Sequence, residues 1–184
     1  EKALGKEHPD YAMSLNNLAG TYSSLGDYNK ALEMNKVCLD LREKIFGNED
    51  PEYARSLNNL AIAYSYLGEH NRALELNLEC LDLKEKILGK EHPEYALSLA
   101  NLSSTYLNLG DKDQALKLEL QCVSLYENTL GKEHPEYALS LANLSSTYLN
   151  LGEYDKAIEM ISENLSILQS RILISESSLD EDLR

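Results

Sequence analysis

Proline stands at positions 9, 51, 93 and 135 of this chain, 42 residues apart each time. Glycine keeps the same step at 26, 68, 110 and 152, and alanine at 31, 73, 115 and 157. The segment from Gly89 to Gly110 returns letter for letter from Gly131 to Gly152. A fixed period of this size marks one supersecondary unit copied and stacked. Each unit buries its apolar face only against its neighbours. The spacing therefore predicts repeats at 9–50, 51–92, 93–134 and 135–174. Residues 1–8 align with the end of a unit and are expected to be the remnant of a preceding repeat. Residues 175–184, rich in serine and acid, are expected to form a short cap or frayed tail after a helix ending near Ile174.

One unit reads as two helices. Asp50-Pro51-Glu52 combines a capping side chain, a first-turn proline and an acid at the positive end of the dipole. Tyr53, Leu57, Leu60, Tyr64 and Leu67 then recur at helical spacing, as do Tyr11, Leu15, Leu18, Tyr22 and Leu25 in the first unit. Gly68 ends the helix. A second helix begins near His70 to Arg72 and carries Ala73, Leu76, Cys80, Leu83 and Ile87 along one face, widened by Leu74, Leu81 and Leu88. Gly89 closes it. The alanines at 31, 73, 115 and 157 are expected where two helices approach closely.

Acidic residues outnumber basic ones 31 to 17, for a formal charge of −14. With no Lys/Arg cluster, this field disfavours nucleic acid as a partner. No stretch approaches the roughly 18 apolar residues of a membrane span. Cys38, Cys80 and Cys122 hold one equivalent position, where adjacent units should be roughly 10 Å apart, too far for a disulfide or shared metal. They read as buried core thiols, which fits a cytoplasmic setting. His8, His92 and His134 precede the repeat prolines, and Asp50 replaces them in the second unit; this exchange fits a helix cap better than a metal ligand. His70 reads as incidental. No nucleophile–base pair, phosphate loop or metal-protease motif occurs, so neither an enzyme nor a cofactor or metal is expected. The Asn-x-Ser sequons at 101, 143 and 164 fall inside expected helices and read as chance.

The run Leu57-x-x-Leu60-Ala61-x-x-Tyr64, followed by Gly68 and Ala73, resembles the tetratricopeptide repeat signature, with serine (Ser103, Ser145) for the small alanine in the last two units. The ordinary repeat has about 34 residues. The longer step here, Asn-Asn-Leu-Ala at 16–19 and 58–61, and the (His/Asp)-Pro-(Asp/Glu)-Tyr-Ala junction are closest to the 42-residue repeats of kinesin light chains. The resemblance implies an all-α fold, a right-handed α-solenoid of about four repeats. It further implies a protein–protein interaction scaffold that binds an extended peptide or short helix in a groove walled by first helices.

On those helices a second stripe lies away from the core: Met13, Asn17, Gly20 and Ser24 in the first, then Arg55, Asn59, Ile62 and Tyr66. The third and fourth continue with Leu97, Asn101, Ser104, Asn108 and Leu139, Asn143, Ser146, Asn150. The candidate peptide-binding residues are Asn17, Arg55, Asn59, Tyr66, Asn101, Asn108, Asn143 and Asn150. Amides at 17, 59, 101 and 143 could hold a peptide main chain. The alternative is that they are inherited consensus, or that they hydrogen-bond across the inter-repeat contact. Arg55 is the one cation on the stripe, which disfavours a carboxylate clamp and favours a neutral or basic extended peptide. The competing function is a structural spacer or rod that associates end to end through its terminal faces.

Overall fold

The computed structural model describes residue 5 and residues 7–182, with side chains to Ile172. The expected remnant at 1–8 lies mostly outside the described residues. Among the described residues eight helices follow one another: α1 (Pro9–Ser24), α2 (Tyr28–Phe46), α3 (Pro51–Tyr66), α4 (His70–Leu88), α5 (Pro93–Leu109), α6 (Lys112–Leu130), α7 (Pro135–Leu151) and α8 (Tyr154–Asp182). Each packs on the next, within a hairpin and between hairpins, and α3 also touches α5. The result is an α-solenoid of four helix pairs.

The local chemistry explains the boundaries. Asp50 accepts a hydrogen bond from the Glu52 amide at 2.8 Å. His8, His92 and His134 do the same through Nδ1 to the amides of Asp10, Glu94 and Glu136, at 3.2, 3.1 and 3.2 Å. The histidines are caps, and aspartate substitutes because either side chain offers one acceptor at the same place. Gly68 sits at φ +77° after α3. Gly89 closes α4 at φ +80°, ψ 164°, a region essentially restricted to glycine. In the fourth repeat Leu173 stands where Gly47, Gly89 and Gly131 stand in the others. With nothing to break it, α8 runs to Asp182, past the expected end near Ile174.

The core is a chain of small clusters. Ala31, Ala73, Ala115 and Ala157 are fully buried, and so, to within 1%, are Cys38, Cys80 and Cys122. Leu60, Ala61, Tyr64 and Ala73 form one cluster that reaches Leu32 and Leu39 of the preceding hairpin. Tyr53, Ala54, Leu57, Cys80 and Leu83 form another. Leu67, Leu76 and Ile87 are half-buried. The equivalent α1 stripe departs from the expectation: Leu15 is buried but Tyr11, Leu18 and Leu25 are exposed. In α3 the matching residues are covered by α2; among the described residues no helix precedes α1.

Polar side chains also enter this core at positions the apolar stripes did not mark. Asn35, Asn77 and Glu119 are buried at one 42-residue step, Arg42 and Lys84 at another. Arg42 reaches from α2 to α3, donating to the Glu52 carbonyl at 2.9 Å and to Ser56 Oγ at 3.0 Å while pairing with the Glu52 carboxylate at 2.9 Å. Lys84 repeats the contact with Glu94, its Nζ 3.2 Å from the carbonyl and 3.4 Å from the carboxylate. At the third seam Tyr126 takes the place of the cation. The cations are buried but the carboxylates of Glu52 and Glu94 are 33% and 47% exposed, so solvent screens each pair and losing the carboxylate costs less than the roughly 3–5 kcal/mol of a fully buried one.

Candidate functional site

The second stripe of each first helix faces solvent. Met13, Ile62, Tyr66, Leu97 and Leu139 are all exposed, an apolar series interleaved with Asn, Ser and Arg. Three clefts open along it between neighbouring first helices. One of about 450 Å³ holds Met13, Asn17, Phe46 and Arg55. The next, about 270 Å³, holds Gly20, Asn35, Asn59 and Tyr66. The third, about 460 Å³, holds Ile62, Tyr66, His70, Asn101 and Asn108. Tyr66 borders two of them. Six of the eight candidate residues therefore meet along one surface of the first three repeats; Asn143 and Asn150 are exposed on α7, outside these clefts.

The amides do structural work. Asn59 Nδ2 donates to Asn16 Oδ1 of the previous repeat. Asn101 Nδ2 donates to Asn58 Oδ1 at 2.5 Å, and Asn108 Nδ2 to Ser65 Oγ at 3.2 Å. Two of the four recurring amides thus hydrogen-bond across the inter-repeat contact. Asn143 cannot copy the pair, because Ala100 replaces Asn16 and Asn58. The partners at 16 and 58 escaped the sequence reading, although their 42-residue recurrence beside Asn17 and Asn59 was a signal. Asn35 and Asn77 escaped it too: they lie four residues after the buried alanine, on the core face of the second helix. Asn35 Nδ2 donates to the Asn59 carbonyl at 3.2 Å.

An amide has two N–H donors and a two-lone-pair acceptor. One inter-repeat bond leaves Asn59 and Asn101 with capacity towards the clefts. Tyr66 is 60% exposed and stacks on Tyr28, ring centroids 4.7 Å apart and 6° from parallel. Arg55 is held by Glu52 at 2.6 Å, so its charge is matched within its own helix. His70 lines the third cleft, and its Nδ1 is buried without a hydrogen bond. Lys112, its counterpart one repeat on, donates to the Asn150 carbonyl at 2.7 Å.

The thiols are unpaired and buried. Cys38 and Cys80 lie 3.3 Å from the carbonyls of Ala12 and Ala54. Burial pushes Cys122 up to about 12, so it stays a protonated, unreactive thiol at neutral pH. Among the described residues, no three His, Cys, Asp or Glu side chains converge as a metal site would require. No helix among them is long and apolar enough to cross a membrane.

Among curated proteins, none matches this sequence. Solved structures do. A Podosopora anserina protein described as a kinesin light chain with nearly identical TPR-like repeats is 29% identical, over 92% of this chain and 81% of its own, with a TM-score of 0.73. BtubC (BKLC) from P. vanneervenii shares 22% identity over 92% of this chain and 68% of its own, at a TM-score of 0.79. MamA shares 20% over 91% and 84%, at 0.62. The last two likenesses concern the fold alone. The tetratricopeptide repeat profile matches residues 12–52, 54–94 and 96–136. A second profile of the same description matches 138–167. With all four helix pairs covered, the chain belongs to the tetratricopeptide repeat family.

Proposed function

We propose that this array is a protein-binding scaffold that holds an extended peptide or short helix along the stripe from Asn17 to Asn108. The observation that carries the reading is the exposed row of Met13, Ile62, Tyr66 and Leu97 running beside residual amide capacity at Asn59 and Asn101. Apolar contacts supply affinity, and amides satisfy a peptide main chain without selecting its side chains. The stripe carries one cation, already paired with Glu52, on a chain of net charge −14. Both features favour a neutral or basic partner over an acidic one or a nucleic acid. The proposal needs no catalytic group and no cofactor. Its setting is the cytoplasm, because three buried thiols remain unpaired and thiols stay reduced there.

A second reading has its own support. Tyr11, Leu18 and Leu25 are exposed on α1, and Ile158, Leu165 and Leu168 on α8. The matching faces inside the array are the ones that join hairpins, so a rod built end to end would cover them. Two measurements separate the readings. Peptides of neutral to basic composition selected against the protein are titrated into wild type and Tyr66→Ala. The scaffold predicts at least a tenfold loss of affinity, by analogy with aromatic hot spots, with a melting temperature within a few degrees of wild type. Unchanged affinity contradicts it. Sedimentation showing filaments that grow with concentration, from a protein that selects no peptide, establishes the rod instead.

A further inference from the structure

We propose that Glu119 is a proton-dependent joint between the third and fourth repeats. The argument begins with what occupies its position elsewhere. Asn35 donates to the first helix of the next repeat, at the Asn59 carbonyl. Asn77, one step on, donates to Thr105 Oγ1 at 2.8 Å and to the Asn101 carbonyl at 3.5 Å. Each seam is thus fastened by an N–H donor reaching from the second helix of one hairpin to the first helix of the next. At the third seam the residue is Glu119, and the counterpart of Thr105 is Thr147.

Glu119 is only 5% exposed. Its Oε1 accepts from Ser103 Oγ at 3.0 Å. Ser103 itself replaces Ala61, and its one proton is shared between Glu119 Oε1 and the Ala115 carbonyl at 3.2 Å. Its Oε2 is buried without a hydrogen bond, and so is Thr147 Oγ1. The Thr147 hydroxyl is near enough to favour the ionised carboxyl, but its placement falls short of a hydrogen bond, so both atoms are left without a well-formed partner. An ionised carboxylate offers only acceptors, so across this seam it depends on Thr147 turning its O–H inward, whereas Asn77 supplies the donor itself and leaves Thr105 free to donate to the Asn101 carbonyl at 3.1 Å. A protonated one regains the donor: an O–H on Oε2 directed at Thr147 Oγ1 repeats the Asn77–Thr105 bond.

The surroundings favour that proton. Burial raises the carboxyl above the ordinary glutamate range, and the nearby hydroxyls of Thr147 and Ser103 oppose the shift only in part. From α5 the facing group is Ser103 and from α7 it is Thr147, neither of which carries charge. On α6 itself the titratable neighbour is Cys122, three residues on. Glu136 on α7 acts on Cys122 and Tyr126 but contributes nothing at Glu119. The sign follows. A carboxyl raised in the folded state gives stability that is complete below the unfolded value of about 4.3 and is lost as pH rises through the folded value. The amides at the first two seams do not titrate. Rising pH therefore loosens α6 from α7 while the first three repeats keep their packing.

Carboxyl carbon NMR of the whole chain reads the titration of Glu119 directly. Hydrogen exchange of α7 and α8, compared at matched pH between wild type and the neutral Glu119→Gln, reads its consequence. The expected result is a Glu119 midpoint above those of the exposed glutamates. The exchange-competent opening of wild type relative to the variant should grow with pH, by about tenfold for each unit of that elevation. Amides of α1 to α4 should show no such growth. A midpoint in the ordinary range, or an opening ratio flat with pH, overturns the proposal. If Glu119→Gln does not fold, the wild-type midpoint alone decides.

Discussion

Ala73 packs against Leu60, Ala61 and Tyr64 with no exposed surface, and Ala31, Ala115 and Ala157 are equally enclosed. A larger side chain there must push helices apart. Ala73→Leu is expected to cost roughly 1–3 kcal/mol and to lower the melting temperature by several degrees, measurable by calorimetry; an unaltered transition would mean the contact is loose. This residue was legible because a small side chain recurring at a fixed step has few reasons other than close approach. The asparagines were legible only by halves. Their recurrence showed that position 59 mattered, and both a ligand role and an inter-repeat role stayed open. Which partner an amide meets depends on whether Asn or Ala stands opposite, as Asn58 does for Asn101 and Ala100 fails to do for Asn143. Glu119 was harder still, because one carboxylate among 31 acidic residues looks like surface until its burial is known.

At the scale of the element, glycine separates two kinds of position. Gly20 lies within α1, and a Cβ added there meets nothing within 4 Å. Gly20→Ala removes unfolded-chain freedom and should stabilise the protein by roughly 0.5–1 kcal/mol. Gly89 has equally open surroundings but φ +80°, so Gly89→Ala should cost on the order of 1–3 kcal/mol. Paired chemical denaturation curves check both signs; the same sign for both would refute the conformational explanation. Helix starts could be read closely from sequence, since Pro9, Pro51, Pro93 and Pro135 each begin a helix behind a side-chain cap. The far end of α8 could not be placed from composition. Its serine- and acid-rich stretch suggested a tail, but no residue there compels the backbone to turn as Gly131 does.

For the molecule as a whole, contact between sequence neighbours is the governing fact: each helix packs on the one before and after it. Such an array leaves a long surface open on its first helices, and this was anticipated from the resemblance to tetratricopeptide repeats, not from the period alone. The exposure of Tyr11 and Leu18 was not, since a stripe that is core in the second repeat becomes surface wherever no helix covers it. The binding claim rests on which side of the array meets a partner. A photo-crosslinking side chain placed at Ile62, between the second and third clefts, is compared with one at Leu120, exposed on α6 in a separate cleft with Lys90 and Tyr95. Neutral to basic peptides selected for binding should be captured at Ile62 and not at Leu120. Capture at Leu120 alone, or a protein that selects no peptide, would contradict the account.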